Sequence, residues 1–187
     1  AYEFAGFIDM QAGELQTGNI KLPVLAEAKL EQAELVSSAV IIAIGTPAVV
    51  CKVHEKYQAL GVTDFPNLIH PTAYVADSVT LGQGNILAQN VVVSVDADLG
   101  NFNIVNLNCT IGHDCRMQNY NVINPGTNLS GGLNIGSQNL FGTNSTVLQY
   151  LQVGNNATIG AAAMITRNVE DNTTLIGNPA RVMKVKK

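Results

Sequence analysis

Charge is scarce in this chain. Asp, Glu, Lys and Arg make up 13% of its 187 residues, and the formal net charge is -4. That excludes the basic footprint of a general nucleic-acid binder, and it suits a surface partly covered by other subunits. Cysteine is also scarce. Cys51, Cys109 and Cys115 are odd in number and form no disulfide framework, so the cytoplasm is the expected compartment. No apolar run reaches membrane-span length and no secretory signal is visible. Neither nucleic acid nor membrane is therefore an expected partner. Hydrophobic residues make up 47%, enough for the core of one large domain or two small ones.

What the chain has instead is a period of six from Ile69 to Glu170. Apolar residues stand at Ile69, Val75, Leu81, Leu87, Val93, Leu99, Val105, Ile111, Met117, Ile123, Leu129, Ile135, Phe141, Val147, Val153, Ile159 and Ile165, with no insertion. The position four on is usually small, as at Ala73, Ala97, Cys109, Cys115, Thr127, Ser145, Ala157 and Ala163. A period of six fits neither an amphipathic helix nor a two-faced strand. It predicts a hexapeptide parallel β-helix. Three hexads make a triangular coil, the apolar residue points inward, and Gly and Asn take the corners. At the inter-strand spacing the prism would be roughly 27 Å long.

The front end reads differently. Ala1–Ile8 predicts a strand ending at Asp9, followed by an irregular stretch to Leu22 and a helix around Leu25–Leu35. Ala39–Ile44 is a continuous apolar run, expected as a strand buried on both faces. Gly45-Thr46-Pro47 is a turn, Val49–Leu60 a helix closed by Gly61, and Val62–Phe65 a short strand. This order predicts a small parallel α/β layer of Rossmann type over residues 1–67, ahead of a β-helix with a C-terminal tail over 68–187. In such layers ligands sit beyond the carboxyl ends of the strands, where Asp9 and Gly45 fall. They either hold a nucleotide or sugar-nucleotide or serve the turns alone. No G-x-G-x-x-G is present.

Of the three histidines, His54 is expected on the solvated face of its helix and His70 in a structural role at the join. His113 lies off the inward columns and is followed by Asp114, so it should point outward at a corner where the two side chains can converge. A histidine beside a carboxylate suits general-base chemistry. Asn106 is a second candidate for orienting the ring. Gly131, one coil on, could present a backbone N–H to a developing oxyanion. The alternative is that His113 caps a turn or packs between subunits. Cys109 and Cys115 fit small interior residues better than nucleophiles. Arg181, Lys184, Lys186 and Lys187 could meet a phosphate-bearing ligand or form a solvated tail.

Together, the hexads, Gly112-His113-Asp114-Cys115 and the closing Gly177-Asn178-Pro179-Ala180-Arg181 resemble the hexapeptide-repeat acyltransferases. With the α/β layer and the Asn67-Leu68-Ile69-His70 join, the chain most resembles the sialic-acid O-acetyltransferase type. That type includes N-acetyltransferases of nucleotide-linked amino sugars, such as UDP-bacillosamine and GDP-perosamine precursors. The resemblance covers nearly the whole chain. It implies a left-handed β-helix, a homotrimer, and acetyl-CoA in a groove between neighbouring prisms, with no metal. It makes His113 the general base, Asp114 its acidic neighbour, Asn106 an orienting residue and Gly131 the oxyanion amide. Thr143 and Ala161 fall where the family contacts the CoA arm, and Asp9 and Gly45 where it holds the sugar-nucleotide. Two departures stand out: the family's opening strand and Gly-rich loop are missing, and Met10 replaces a second acidic residue.

The expected activity is acetyl transfer from acetyl-CoA to the amine of a nucleotide-linked sugar. The rivals, in order, are O-acetylation of sialic acid or another sugar hydroxyl, a zinc lyase of the γ-carbonic-anhydrase type, and a non-enzymatic trimeric sugar-binding module. The lyase needs three histidines, and the prism has only His70 and His113.

Overall fold

The structure, a computed structural model, describes residues 2–183. Ala1, Lys184, Lys186 and Lys187, invoked above, lie outside the described residues. The chain forms two compact units, Ala1–Val40 with Lys56–Phe65, and Ile41–Glu55 with Pro66–Lys187.

The first unit holds a sheet of three strands, β1 (Phe7–Asp9), β2 (Gly13–Thr17) and β3 (Ile20–Ala26), in the order β1-β3-β2. β1 runs parallel to β3, and β2 antiparallel. The stretch expected to be irregular is thus half of a hairpin, turned at Gly18 with φ +58°. The expected helix over Leu25–Leu35 is corrected too. β3 runs through Ala26, and the helix α1 spans only Gln32–Val36.

Neither Ala39–Ile44 nor Val62–Phe65 is a sheet strand. In the first, Val40 and Ile42 are buried while Ile41 is 40% exposed. The run alternates and has one inner face, not two. One hydrogen bond, Val40 N–H to the Asp64 carbonyl at 3.0 Å, links the two segments. β1 therefore finds its partner in a hairpin arm, and the strand order expected of a Rossmann layer is not the order found. Helix α2 (Pro47–Ala59) forms as expected, with Pro47 at its start and Gly61 (φ +99°) just past its end.

In the second unit the period of six becomes geometry. Each hexad contributes a two-residue strand, and strands pair in parallel eighteen residues apart: Ile104 with Val122, Val122 with Leu140. Three sheets result, the faces of a prism. The first face contains Ile104–Val105, the second Thr110–Ile111 and the third Arg116–Met117. The apolar hexad residues from Leu87 to Ile165 are buried in one continuous core. Each corner needs one residue in the left-handed region, and these recur every six positions, among them Asn108 (φ 57°), Asp114 (58°), Gln138 (60°), Tyr150 (61°) and Asn156 (54°). In the last coil the spacing shortens, with Thr158 pairing Thr174, and Arg181–Val182 returns antiparallel on Thr174–Ile176.

The edge between the third face and the first is built on asparagine. Asn85, Asn103, Asn121 and Asn139 are fully buried in the small-residue slot. Each side-chain oxygen accepts the backbone N–H one coil on: Asn103 to Asn85, Asn121 to Asn103, Asn139 to Asn121, all at 2.9 Å. A second column runs the other way. Asn101 N–H donates to Asn119 Oδ1 at 2.7 Å, and Ser137 N–H to Asn155 Oδ1 at 2.8 Å. With their oxygens bonded in this way the buried amides fix the coil register, and of the four only Asn139 leaves its side-chain nitrogen without a partner.

Candidate active site

The edge between the second and third faces carries the chemistry. Ile111 and Cys115 point inward and are buried, so Gly112, His113 and Asp114 make the turn between them. The left-handed backbone at Asp114 swings its carboxylate beside the preceding side chain. His113 Nδ1 lies 2.7 Å from Asp114 Oδ2, with the side chains 51% and 64% exposed. The carboxylate holds Nδ1 and directs the other nitrogen, Nε2, away from it. One coil on, Gly131 lies directly against the ring. A Cβ there would come within 2.5 to 2.8 Å of Nε2, Cε1 and Cδ2. The coils are tied by Gly132 N–H, which donates to the His113 carbonyl at 2.7 Å.

The structure thus brings three of the sequence-read residues together: His113, Asp114 and Gly131. The other three prism residues are on the edge between the first and second faces. Asn106 makes no hydrogen bond with the imidazole, and its N–H donates to the Ile123 carbonyl at 2.9 Å. Thr143 and Ala161 are exposed on that same edge, one coil apart, joined by the Ala162 N–H to the Thr143 carbonyl at 2.8 Å. The two edges flank the second face. In the first unit, Asp9 ends β1, and its carboxylate accepts the Met10 N–H at 2.6 Å. Gly45, in the second unit, is exposed ahead of α2.

Both interior cysteines are buried, which pushes their thiols above the usual range. Cys109 Sγ donates to the Asn124 carbonyl and Cys115 Sγ to the Ser130 carbonyl, each at 3.1 Å. Neither is a nucleophile in reach of substrate. Among the described residues, no three His, Cys, Asp or Glu side chains are grouped to hold a metal ion. No described helix is long and apolar enough to cross a membrane.

His54 corrects an expectation. It is 7% exposed, not solvated. Its ring packs at a tilt against Phe102 with centroids 4.0 Å apart, and its Nδ1 shares a hydrogen bond with Tyr120 Oη at 2.9 Å. Burial holds its pKa below the ordinary 6.5, partly countered by Glu55. Tyr150 was also missed. It is 72% exposed, and its ring lies on Gly132. The signal was an aromatic residue in a corner slot that elsewhere often takes Asn, Asp or Gly.

No protein-family model matches the chain, and no curated protein matches it. Solved structures do. The acetyltransferase domain of PglB from Neisseria gonorrhoeae, in complex with acetyl coenzyme A, is 31% identical over 95% of this chain and 85% of that one, with a TM-score of 0.82. WeeI from Acinetobacter baumannii is 26% identical over the same shares, with a TM-score of 0.83. A variant of perosamine N-acetyltransferase from Caulobacter crescentus, in complex with CoA and GDP-perosamine, is 28% identical over 79% of this chain and 70% of that one, with a TM-score of 0.77. A stacked prism, a histidine–carboxylate pair on its edge and a one-third match across almost the full length lead to one conclusion: the chain belongs to the hexapeptide-repeat, left-handed β-helix sugar acetyltransferases.

Proposed function

We propose that the protein transfers acetyl from acetyl-CoA to the amine of a nucleotide-linked amino sugar, with His113 as general base. The observation that carries this reading is the exposed His113–Asp114 pair with Gly131 packed against the ring. The amine nitrogen attacks the thioester carbonyl carbon, forming C–N and a tetrahedral oxyanion whose collapse breaks C–S. His113 Nε2 takes the amine proton and passes it to the departing thiolate, so CoA leaves as the thiol and no covalent enzyme intermediate forms. Asp114 accepts the Nδ1 hydrogen bond and stabilises the imidazolium. The Gly131 amide faces the oxyanion.

A homotrimer supplies the rest. The second face and its flanking edges expose Tyr74, Val92, Val95 and Leu107, an apolar surface suited to burial against copies of the chain. Pairing one chain's histidine edge with the neighbouring chain's other edge would add Asn106, Thr143 and Ala161 to the site. Asp9, and separately Gly45, would contact the sugar-nucleotide. The support comes from two neighbours with CoA or acetyl-CoA bound, one of which also holds GDP-perosamine.

The test is free-thiol release from acetyl-CoA against UDP- and GDP-amino sugars and free sialic acid. Turnover with an amino sugar supports the proposal. Turnover with sialic acid alone moves the reaction to O-acetylation. Acetyl-CoA that fails to bind at all overturns acetyl transfer.

A further inference from the structure

Three aromatic residues occupy left-handed corner slots in the prism: Phe102 (φ 55°), Tyr120 (60°) and Tyr150 (61°). This backbone is costly for a bulky side chain. Two of them have an evident partner, since Phe102 and Tyr120 stack on each other and both pack at a tilt against His54. Tyr150 is on the histidine edge, where its exposed ring covers Gly132 as Phe102 covers Gly84.

Its surroundings suggest why it is there. His113, Gly131, Gln149 and Arg167 fill one slot in four successive coils. Asp114, Gly132, Tyr150 and Asn168 fill the next. The imidazole leans onto Gly131 from the coil below, and the Tyr150 ring leans onto Gly132 from the coil above. A Cβ on either glycine would overlap the facing ring. Tyr150 N–H donates to the Gly131 carbonyl at 3.0 Å, which fixes the ring's root beside the same step. The Gly131-Gly132 step is therefore a bare backbone floor between two rings.

One coil beyond Tyr150 this edge carries the exposed Arg167, which with Glu170 lines a cavity of about 280 Å³ floored by Val169 and Leu175. Arg167 stands three coils from His113, about 14 Å at the usual strand spacing. A base at one end and a guanidinium group at the other match an acyl donor with a reactive thioester at one end and phosphates at the other.

We propose that Tyr150 is a donor-binding residue whose ring walls the thioester end and adjoining arm of acyl-CoA over the Gly131-Gly132 floor. This rests on the acetyl-transfer reading above. The ring supplies apolar contact to the arm and excludes water beside the reacting carbonyl, and its hydroxyl is not required.

The test is calorimetric titration of acetyl-CoA into the full chain and two variants. Tyr150→Asn removes the ring but keeps a residue that already serves this corner at Asn108 and Asn156. Tyr150→Phe keeps the ring. Tyr150→Asn should weaken acetyl-CoA binding about tenfold, the scale of one lost aromatic contact. Tyr150→Phe should recover most of the affinity. In turnover, the loss should fall on the KM for acetyl-CoA and not on that for the acceptor. Equal affinity of wild type and Tyr150→Asn overturns the assignment and leaves acetyl transfer standing. A shift confined to the acceptor KM overturns it as well. A wild type that does not bind acetyl-CoA overturns both.

Discussion

The histidine edge and the asparagine edge obey the same six-residue rule and differ in what fills the corner. On the asparagine edge, buried Asn103, Asn121 and Asn139 are bonded coil to coil in the small-residue slot. On the histidine edge that slot holds the apolar Ala97, Cys115 and Leu133, and the polar groups face outward on a bare glycine step. One edge spends its hydrogen bonds on register. The other leaves His113 half-exposed and able to meet a ligand. Stability and chemistry are thus assigned to different edges of one repeat, and substitutions should separate them.

The largest effect is expected at the base. His113→Ala should lower kcat by roughly 10²–10⁴-fold while leaving the melting temperature near wild type, because the side chain is exposed. Wild-type turnover in that variant would remove the mechanism. Gly131→Ala comes next. The added methyl displaces the imidazole, and a shift of that size costs roughly a hundredfold in rate. Thiol release should fall with little change in the thermal midpoint. A fall in stability without a fall in rate would contradict the placement of Gly131.

The asparagine edge should show the reverse. Asn121→Ala strands the buried Asn139 N–H and removes one of the two hydrogen bonds to the Asn103 oxygen, which keeps the Asn121 backbone N–H. That should cost about 1–3 kcal/mol, read as a lower denaturation midpoint, with thiol release at low temperature kept. The smallest effect is at His54. Its folded pKa lies below the unfolded 6.5, so the unfolded chain binds more protons in acid. This contribution is complete above pH 6.5 and is lost as pH falls through 6.5 toward the folded value. Melting temperatures at pH 7.5 and pH 5 should differ less in His54→Gln than in wild type. Equal differences would show that His54 carries none of the acid sensitivity.

The prism was legible because its period is its geometry. Ile111 and Leu129 repeat at the coil length, and no distant partner decides where they point. The His113–Asp114 pair was legible for the same reason, since its partners are local or one coil away. The front end depends on partners chosen at a distance. Pro23 argues against a central strand, which is where it lies, and Gly18-Asn19 is the turn that joins the two hairpin arms. His54 looked solvated because Phe102 and Tyr120, which bury it, come dozens of residues later.

The fixed coil turns sequence length into distance. A deletion of six residues between Asp114 and Gly131 could leave the hexad pattern intact, yet it would carry the glycine to a different edge from the histidine. Within the regular coils, gains or losses of eighteen keep each residue on its edge, and each such change moves what lies beyond it by about 4.8 Å. The separation of His113 from Arg167 can therefore change only in whole coils. Length variation in this chain is quantised, and a donor of fixed reach is compatible with very few of its steps.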